Sequence, residues 1–138
     1  MNIEKSPKKM PHFSVYTRLG YSKIHGIGII AIKNIPKGTY IFCEDRSKMV
    51  EVDRSVVIKQ EPEIRKFYND FCVIKGDKYI CPDNFNNLTI GWYLNDSNNP
   101  NVLCDSKYDF YAKRDIKKGE ELTVKYSTFT ERPDNERV

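Results

Sequence analysis

Residues 92–101 read WYLNDSNNPN, so an apolar and aromatic run stops abruptly in seven polar or turn residues. Asn and Asp side chains bond nearby backbone groups, and Pro100 restricts the conformation of the residue before it. The pattern predicts a short buried segment that ends in a tight, internally bonded bend. Two interpretations are open: an ordinary Asx-rich turn, or a group of carboxamides that presents donors and acceptors to a polar ligand.

The composition predicts one globular domain. The chain has 138 residues, of which 39% are apolar and 30% are charged, and this balance is typical of a folded domain with one core. No apolar run approaches the roughly 20 residues that a membrane helix needs. Residues 1–11 carry charges and lack the apolar segment of a secretion signal. We therefore expect an intracellular protein, nuclear or cytoplasmic, with no membrane partner.

Neither a metal site nor a nucleic-acid surface is predicted. The cysteines are Cys43, Cys72, Cys81 and Cys104. Because they are widely spaced and form no CxxC pair, they are interpreted as free thiols in a reducing compartment rather than as zinc ligands. The net charge of +4 is modest, and basic residues cluster only within residues 1–11. This segment is interpreted as a solvated tail, with contact to an anionic partner such as nucleic acid as the alternative.

Short β-like runs alternate with turn residues along the chain. Strands are predicted for residues 13–19, 24–32, 39–43, 49–52, 71–75, 78–81, 101–105, 108–113 and 121–126, with Gly20 ending the first and Gly76-Asp77 forming a hairpin. Residues 61–71 predict the one clear helix, and residues 88–94 a helix of two turns. The longer helix has an apolar stripe interpreted as core, made of Ile64, Phe67, Tyr68 and Phe71. Many short strands with one clear helix predict an α+β fold that is mainly β.

Three separate stretches carry the functional signal. The first is HGIGIIA at residues 25–31, which fails as a dinucleotide fingerprint because no third glycine follows at the required spacing. The second is GWYLNDSNNPN at residues 91–101, and the third is GEELTVKY at residues 119–126. Together and in this order, they resemble the motifs of the SET domain, the family of lysine methyltransferases.

The resemblance covers residues 24–126 and implies an architecture. A SET domain consists of several small twisted sheets around a C-terminal pseudoknot, in which the last segment passes beneath a loop, an exception to the rule against threading. The resemblance therefore divides the chain into a basic N-terminal tail at residues 1–11, a SET domain at residues 12–128 and a polar C-terminal tail at residues 129–138.

The resemblance also implies a reaction. A methyl group is transferred from S-adenosylmethionine to a lysine amine of a protein or peptide, and histone is the family's commonest substrate. Tyr126 takes the position of the catalytic tyrosine. Gly26, without a side chain, is expected to let the cofactor approach the backbone. The residues implied in the cofactor site are His25, Gly26, Ile27, Asn95 and Asp96.

A dry aromatic channel is expected for the incoming lysine, because such surroundings disfavour the ammonium form and lower the pKa of the amine. Val124 occupies a position that is often aromatic, so its small side chain is expected to leave room for di- or trimethylation. Phe129 is expected to close the channel, with an exposed side chain as the alternative. The candidate channel residues are Tyr79, Tyr93 and Val124, with Tyr108 and Tyr111 as further wall candidates and ordinary core packing as the alternative for each tyrosine.

Two residues depart from the family motifs. Asp96 replaces the usual histidine, and Lys125 stands where an aspartate is common. These departures support an alternative hypothesis, a SET fold that has lost catalysis and binds peptides or partner proteins. A third hypothesis, a small basic domain bound to nucleic acid, predicts an affinity that falls steeply with salt.

Overall fold

The chain, analysed as a computed structural model, is described over residues 1–131. Within that range there are nine short strands and two helices. The strands are β1 (Thr17–Tyr21), β2 (Ile27–Ala31), β3 (Met49–Asp53), β4 (Val73–Lys75), β5 (Lys78–Pro82), β6 (Asn95–Asp96), β7 (Val102–Cys104), β8 (Phe110–Ala112) and β9 (Glu121–Val124). The helices are α1 (Arg54–Val57) and α2 (Pro62–Phe71), and 3-10 turns lie at Phe85–Asn87, Ile90–Tyr93 and Tyr126–Thr128.

The strands form three small sheets rather than one large sheet. The largest has the order β1-β2-β9-β6, the second has the order β3-β5-β4, and β7 pairs with β8. The hairpin between β4 and β5 turns at Gly76, whose φ of 58° lies in the left-handed region that glycine adopts without steric cost. The prediction of a mainly β, α+β fold made of small sheets is confirmed.

The last strand of the chain, β9, lies inside the largest sheet. It pairs antiparallel with β2 on one side and parallel with β6 on the other. Asn101 attaches the adjoining loop, because its Nδ2 donates to the Glu121 carbonyl at 2.9 Å and its Oδ1 accepts from the Thr123 N–H at 2.8 Å. The C-terminal segment therefore runs between the N-terminal strands and the loop of residues 95–101, as the predicted pseudoknot requires.

Two apolar clusters hold the sheets together. The larger involves β2 and β9, where Ile29 and Leu122 are fully buried. The smaller involves α1, β4 and β5 and includes Tyr79 and Cys81. Burying one large aliphatic side chain contributes about 1.5–3 kcal/mol, so each cluster stabilises the sheet that it covers. Small adjoining clusters replace the single core expected from the length of the chain.

The apolar stripe of α2 is not core, and that interpretation is wrong. Ile64 and Phe67 are each 41% exposed, and no residue of α2 is buried. Only part of the helix surface is covered, because α2 lies against a sheet of three strands. Tyr68 is the stripe residue that packs on the smaller cluster, where its ring meets the edge of Tyr79 at a centroid distance of 5.7 Å.

The first strand also differs from its prediction. β1 begins at Thr17 rather than at residue 13, and Gly20 lies within it, paired with Gly28 of β2. A Cβ at Gly20 would lie 2.9 Å from the Ile30 side chain. This glycine is therefore explained by close cross-strand contact and not by the end of a strand.

Two other segments are less regular than predicted. Residues 39–43 contribute an isolated bridge between Tyr40 and Tyr111 instead of a strand, and residues 88–94 contain a 3-10 turn instead of a two-turn helix. The segments contact each other closely, since a Cβ at Gly91 would lie 3.3 Å from the Phe42 ring. Tertiary contact here overrides local propensity.

The described part of the predicted C-terminal tail is attached to the domain. Thr130 Oγ1 accepts from the Ile74 N–H at 3.0 Å, and the Glu131 N–H donates to the Ile74 carbonyl at 2.9 Å. These bonds attach residues 130 and 131 to β4, beyond the domain limit predicted at residue 128, although the domain limits themselves stay predictions. The rest of the predicted tail, residues 132–138, lies outside the described residues.

The predicted N-terminal tail, residues 1–11, is largely exposed and reaches the domain through an ion pair between Lys9 and Glu44. All four cysteines are free thiols. Within residues 1–131, every helix is too short or too polar to cross a membrane.

Replacing Asn101 with Ala should destabilise the fold by about 3 kcal/mol, because two backbone groups of β9 would lose their buried partners. Urea unfolding of the variant measures this loss. Asn98→Ala, an exposed change in the same loop, is the matched control and should stay within about 0.5 kcal/mol of the parent. Equal stability of the two variants would contradict the role assigned to Asn101.

Candidate functional site

The side chain of Asn95 joins two of the three sequence motifs. Asn95 is only 5% exposed, and its Nδ2 lies 3.2 Å from the carbonyl oxygens of both His25 and Ile27. These two residues flank Gly26, so Asn95 holds both ends of the glycine loop. The Asn95 side chain, predicted to present polar groups to a ligand, therefore directs its amide hydrogens to this loop and stabilises its shape.

Glu121 and Ser22 complete the surroundings of the Asn95 amide. Nδ2 lies 3.0 Å from Glu121 Oε2 and 3.1 Å from Ser22 Oγ. The Ser22 hydroxyl is 2.8 Å from both Glu121 oxygens and accepts from the N–H groups of Ile24 and His25. Four oxygens around a group with two protons fix the direction of the amide, so its Oδ1 points away from them.

The two glycines of the first motif, Gly26 and Gly28, have different structural roles. A Cβ at Gly28 would lie 2.5 Å from Glu121 Oε2, so a side chain there would displace the carboxylate. Gly26 has a φ of 50°, and apart from its own atoms and its two chain neighbours no atom lies within 4 Å of the position that its Cβ would take. Gly28 therefore makes room for Glu121, whereas Gly26 shapes the turn and leaves its outer side open.

Tyr126 forms hydrogen bonds with the residues that precede and follow Asn95 in the chain. Its hydroxyl donates to the carbonyl of Leu94, and its backbone N–H donates to Asp96 Oδ1 at 2.7 Å. Leu94 and Asp96 are the immediate neighbours of Asn95. The three motifs singled out in the sequence therefore converge on a single residue.

A cavity of about 260 Å³ lies beside Tyr126. It borders both apolar clusters, since Leu94 of the larger cluster and Cys72 of the smaller one are among its lining residues. Phe129, expected to close a channel, lines the cavity with its ring centroid 5.9 Å from that of Tyr126. The aromatic residues that line it are Tyr40, Phe42, Phe71, Trp92, Tyr108, Phe110, Tyr126 and Phe129.

The charged residues of the cavity wall are mostly acidic. Asp45, Asp70 and Asp109 line it together with one cation, Lys107. Asp70 also forms an ion pair with Lys66 at 3.0 Å. The excess of carboxylates gives the wall a negative potential that attracts a cationic side chain.

A tyrosine at the wall, Tyr40, forms a hydrogen bond with one of these carboxylates. The Tyr40 hydroxyl donates to Asp109 Oδ1 at 2.9 Å, and the Tyr40 ring stacks on Tyr111 at a centroid distance of 5.2 Å. This hydrogen bond is the main reason that the pKa of Tyr40 is raised to about 12. The phenol therefore stays neutral around pH 7 and keeps donating to Asp109.

The three residues predicted for the substrate channel do not line this cavity. Tyr79 is 4% exposed within the smaller cluster, where its hydroxyl donates to Asn69 Oδ1 at 3.0 Å. Tyr93 packs against the larger cluster, and its ring makes an edge contact with Phe71 at a centroid distance of 5.4 Å. Val124 is 1% exposed in the larger cluster. Other aromatic residues form the wall instead.

Several residues of the site were missed in the sequence. Ser22 and Glu121 were not singled out, although Glu121 belongs to the closing motif, because nothing in the sequence indicates that its carboxylate faces residue 95. Trp92 was quoted for the aromatic run but not assigned to the wall. Of the further candidates, Tyr108 lines the cavity, whereas Tyr111 is absent from its lining residues.

This arrangement suits an amine-bearing side chain held next to a phenol. Aromatic walls exclude water and disfavour the ammonium form, which lowers the pKa of a buried amine. The Tyr126 hydroxyl donates its hydrogen bond to the Leu94 carbonyl. Its oxygen can therefore act only as an acceptor towards a ligand in the cavity. Within residues 1–131, no group of three or more His, Cys, Asp or Glu side chains is placed to hold a metal ion.

Comparison with known proteins gives three kinds of match. The model of the SET domain family matches residues 26–127. The H3 lysine-4 specific histone-lysine N-methyltransferase of Schizosaccharomyces pombe is 30% identical over 134 residues, which covers 91% of this chain and 14% of that protein. The H3 lysine-36 specific histone-lysine N-methyltransferase of Candida albicans is 26% identical over 122 residues, which covers 77% of this chain and 13% of that protein.

A solved structure has the same fold. A humanized mutant of the Chaetomium thermophilum Polycomb Repressive Complex 2, bound to the inhibitor GSK126, matches with a TM-score of 0.59 at 18% identity. The match covers 85% of this chain and 15% of that chain. This chain spans about one seventh of the length of the curated relatives described above.

Gly28→Ala should destabilise the protein by about 1–3 kcal/mol, because the added methyl group displaces the Glu121 carboxylate. The same change in a Glu121→Ala background should cost less, since the closest contact is gone and only the 3.1 Å contact with Ser22 Cβ remains. Urea unfolding of the parent, both single variants and the double variant measures the coupling. Equal costs in the two backgrounds would show that Gly28 is required for another reason.

Proposed function

The chain belongs to the SET domain family, and on that premise we propose that it transfers a methyl group from S-adenosylmethionine to a lysine amine of a protein substrate. The observation that carries this proposal is the hydrogen-bonded connection from the glycine loop through Asn95 to Tyr126. It joins the three family motifs, and two of them contribute lining residues, Leu94 and Tyr126, to an aromatic cavity. A packing role alone does not require a buried amide and a phenol at the same point.

The residues around the glycine loop fit S-adenosylmethionine. Open space beside Gly26 lets a ligand approach the backbone, and the outward Oδ1 of Asn95 is suited to accept from an ammonium group. When bound, this cofactor supplies an electrophilic methyl group on a sulfonium ion. The residues that we assign to its site are His25, Gly26, Ile27, Asn95 and the backbone of Asp96.

Tyr126 is proposed as the catalytic residue. Its hydroxyl is held by Leu94, so the oxygen accepts weak C–H contacts and orients an amine without a rearrangement of the side chain. Preset orientation of this kind accelerates reactions because little freedom remains to be lost on the way to the transition state.

The cavity beside Tyr126 is proposed as the lysine channel. Its aromatic side chains disfavour the charged form of the incoming amine while its carboxylates favour it, so the neutral, nucleophilic form is promoted where the amine lies among the aromatic side chains. We assign this wall to residues such as Phe71, Trp92 and Phe129, which line it, rather than to Tyr79 or Tyr93. The role predicted for Val124 in permitting di- or trimethylation stays a prediction, and mass spectrometry of the product tests it.

Histone is the first substrate to test, and the nucleus is the compartment that goes with it. The relatives described above are histone methyltransferases, and the acidic residues of the cavity wall favour a lysine that lies in a basic segment. The alternative function is a catalytically weak or inactive module that binds peptides or partner proteins. Calorimetric titration with S-adenosylmethionine separates the two, because folded protein without binding at millimolar cofactor supports the module.

Tyr126→Phe should lower the rate of methyl transfer by about 100-fold, because the ring loses the oxygen that orients the reacting groups. The measurement uses isotopically labelled S-adenosylmethionine with a histone mixture, and mass spectrometry locates the label. Cofactor affinity, measured by calorimetry, should change by less than about threefold.

Tyr21→Phe is the matched control for this change. Tyr21 is 96% exposed, and loss of its hydroxyl should leave the rate unchanged. Undiminished transfer by Tyr126→Phe would remove the catalytic assignment. Transfer lost equally in both variants would indicate a general defect in folding.

The KM for a lysine peptide with basic neighbours should rise about threefold or more when NaCl is raised from about 50 to about 300 mM, because salt screens the carboxylates of the cavity wall. A peptide with the same lysine between neutral residues is the control and should change less. Initial rates at saturating cofactor measure both. Identical salt dependence of the two peptides would contradict an electrostatic role for the wall.

A further inference from the structure

Asp96 departs from the family motif, yet its side chain has a defined partner. Its Oδ1 accepts from the backbone N–H of Tyr126 at 2.7 Å. Parallel pairing ties the same region together, since Asp96 pairs with Val124 and the Ser97 N–H donates to the Val124 carbonyl at 3.0 Å. The carboxylate thus reaches from β6 to the segment that follows β9.

The Tyr126 N–H needs an acceptor from outside its own turn. β9 ends at Val124, and Tyr126 opens the 3-10 turn Tyr126–Thr128. The first N–H groups of a helical turn have no partner within it. Lys125, which precedes the turn, makes no capping bond with its side chain. Asp96 supplies the missing acceptor from a different strand, and a charged acceptor makes a stronger bond than a neutral one.

We propose that Asp96 is a positioning residue for Tyr126, an inference that rests on the methyl-transfer function proposed above. Asp96 holds the backbone end of Tyr126, and Leu94 holds the hydroxyl end. Leu94 and Asp96 are the chain neighbours of Asn95, whose side chain is hydrogen-bonded to the glycine loop. The distance between the phenol and the cofactor site is therefore set by one short strand.

This role differs from both interpretations of Asp96 drawn from the sequence. There the residue was placed in the cofactor site, and its replacement of the usual histidine supported a loss of catalysis. The bond to Tyr126 makes the carboxylate a support for the reaction instead. Removing the carboxylate releases the backbone end of Tyr126, so the phenol no longer keeps a single position relative to Asn95.

The kinetic test compares Asp96→Ala with Asp96→Asn, because Asn keeps an acceptor oxygen at the same place. Asp96→Ala should lower kcat by about 10- to 100-fold while the Kd for S-adenosylmethionine changes by less than about threefold. Asp96→Asn should recover most of the lost kcat. A fall in cofactor affinity that matches the fall in kcat would overturn the proposal and make Asp96 a cofactor ligand.

A second readout does not depend on activity. Amide hydrogen exchange, followed by NMR, reports whether the Tyr126 N–H keeps its partner. In Asp96→Ala this amide should exchange at least about tenfold faster relative to the amides of β9, and in Asp96→Asn it should stay protected. Lys125→Ala, an exposed change beside Tyr126, is the control and should leave the exchange unaltered.

The two readouts separate failure of this inference from failure of the proposed function. Unchanged exchange of the Tyr126 amide in Asp96→Ala would overturn the inference even if methyl transfer is active. If the parent protein transfers no methyl group, the proposed function fails. In that case, loss of protection in Asp96→Ala with recovery in Asp96→Asn still supports the anchoring of Tyr126 by Asp96.

Discussion

A buried amide that must satisfy its hydrogen bonds is the constraint on which this structure depends. Leaving the Asn95 side chain without partners would cost about 1–3 kcal/mol. Its partners are the carbonyls of His25 and Ile27, the hydroxyl of Ser22 and the carboxylate of Glu121. Satisfying one side chain therefore requires the glycine loop, β6 and β9 to meet. Backbone pairing brings the same elements together, because β9 lies between β2 and β6 in the sheet.

The site follows from where β9 ends. Because β9 lies between β2 and β6, the residue that opens the next turn, Tyr126, leaves the sheet beside the neighbours of Asn95. The cavity then forms where the two apolar clusters adjoin, with Leu94 on one side and Cys72 on the other. Two small clusters leave an aromatic gap between them that a single larger core would fill. The separation of the apolar residues into two clusters therefore creates the cavity on which the proposed function depends.

Local pattern predicted the elements better than it predicted their surroundings. The hairpin at Gly76 and the helix of residues 61–71 follow from turn chemistry and periodicity, which act over a few residues. The same periodicity assigned Ile64 and Phe67 to the core, and this was wrong because a helix pattern does not reveal how wide a surface covers it. Tyr79 was expected in the channel because of its position in the resemblance to the family, and the structure buries its side chain in the smaller cluster.

The sequence by itself determined the family, the mainly β architecture and the three motifs that meet at the site, because these depend on residue types in a fixed order. Tertiary structure alone decided which side chains face one another. The carboxylate of Glu121 against Gly28, the bond from Tyr126 to Asp96 and the aromatic wall of the cavity all join positions far apart in the chain. Such contacts depend on strand register and sheet order, which local propensity does not specify.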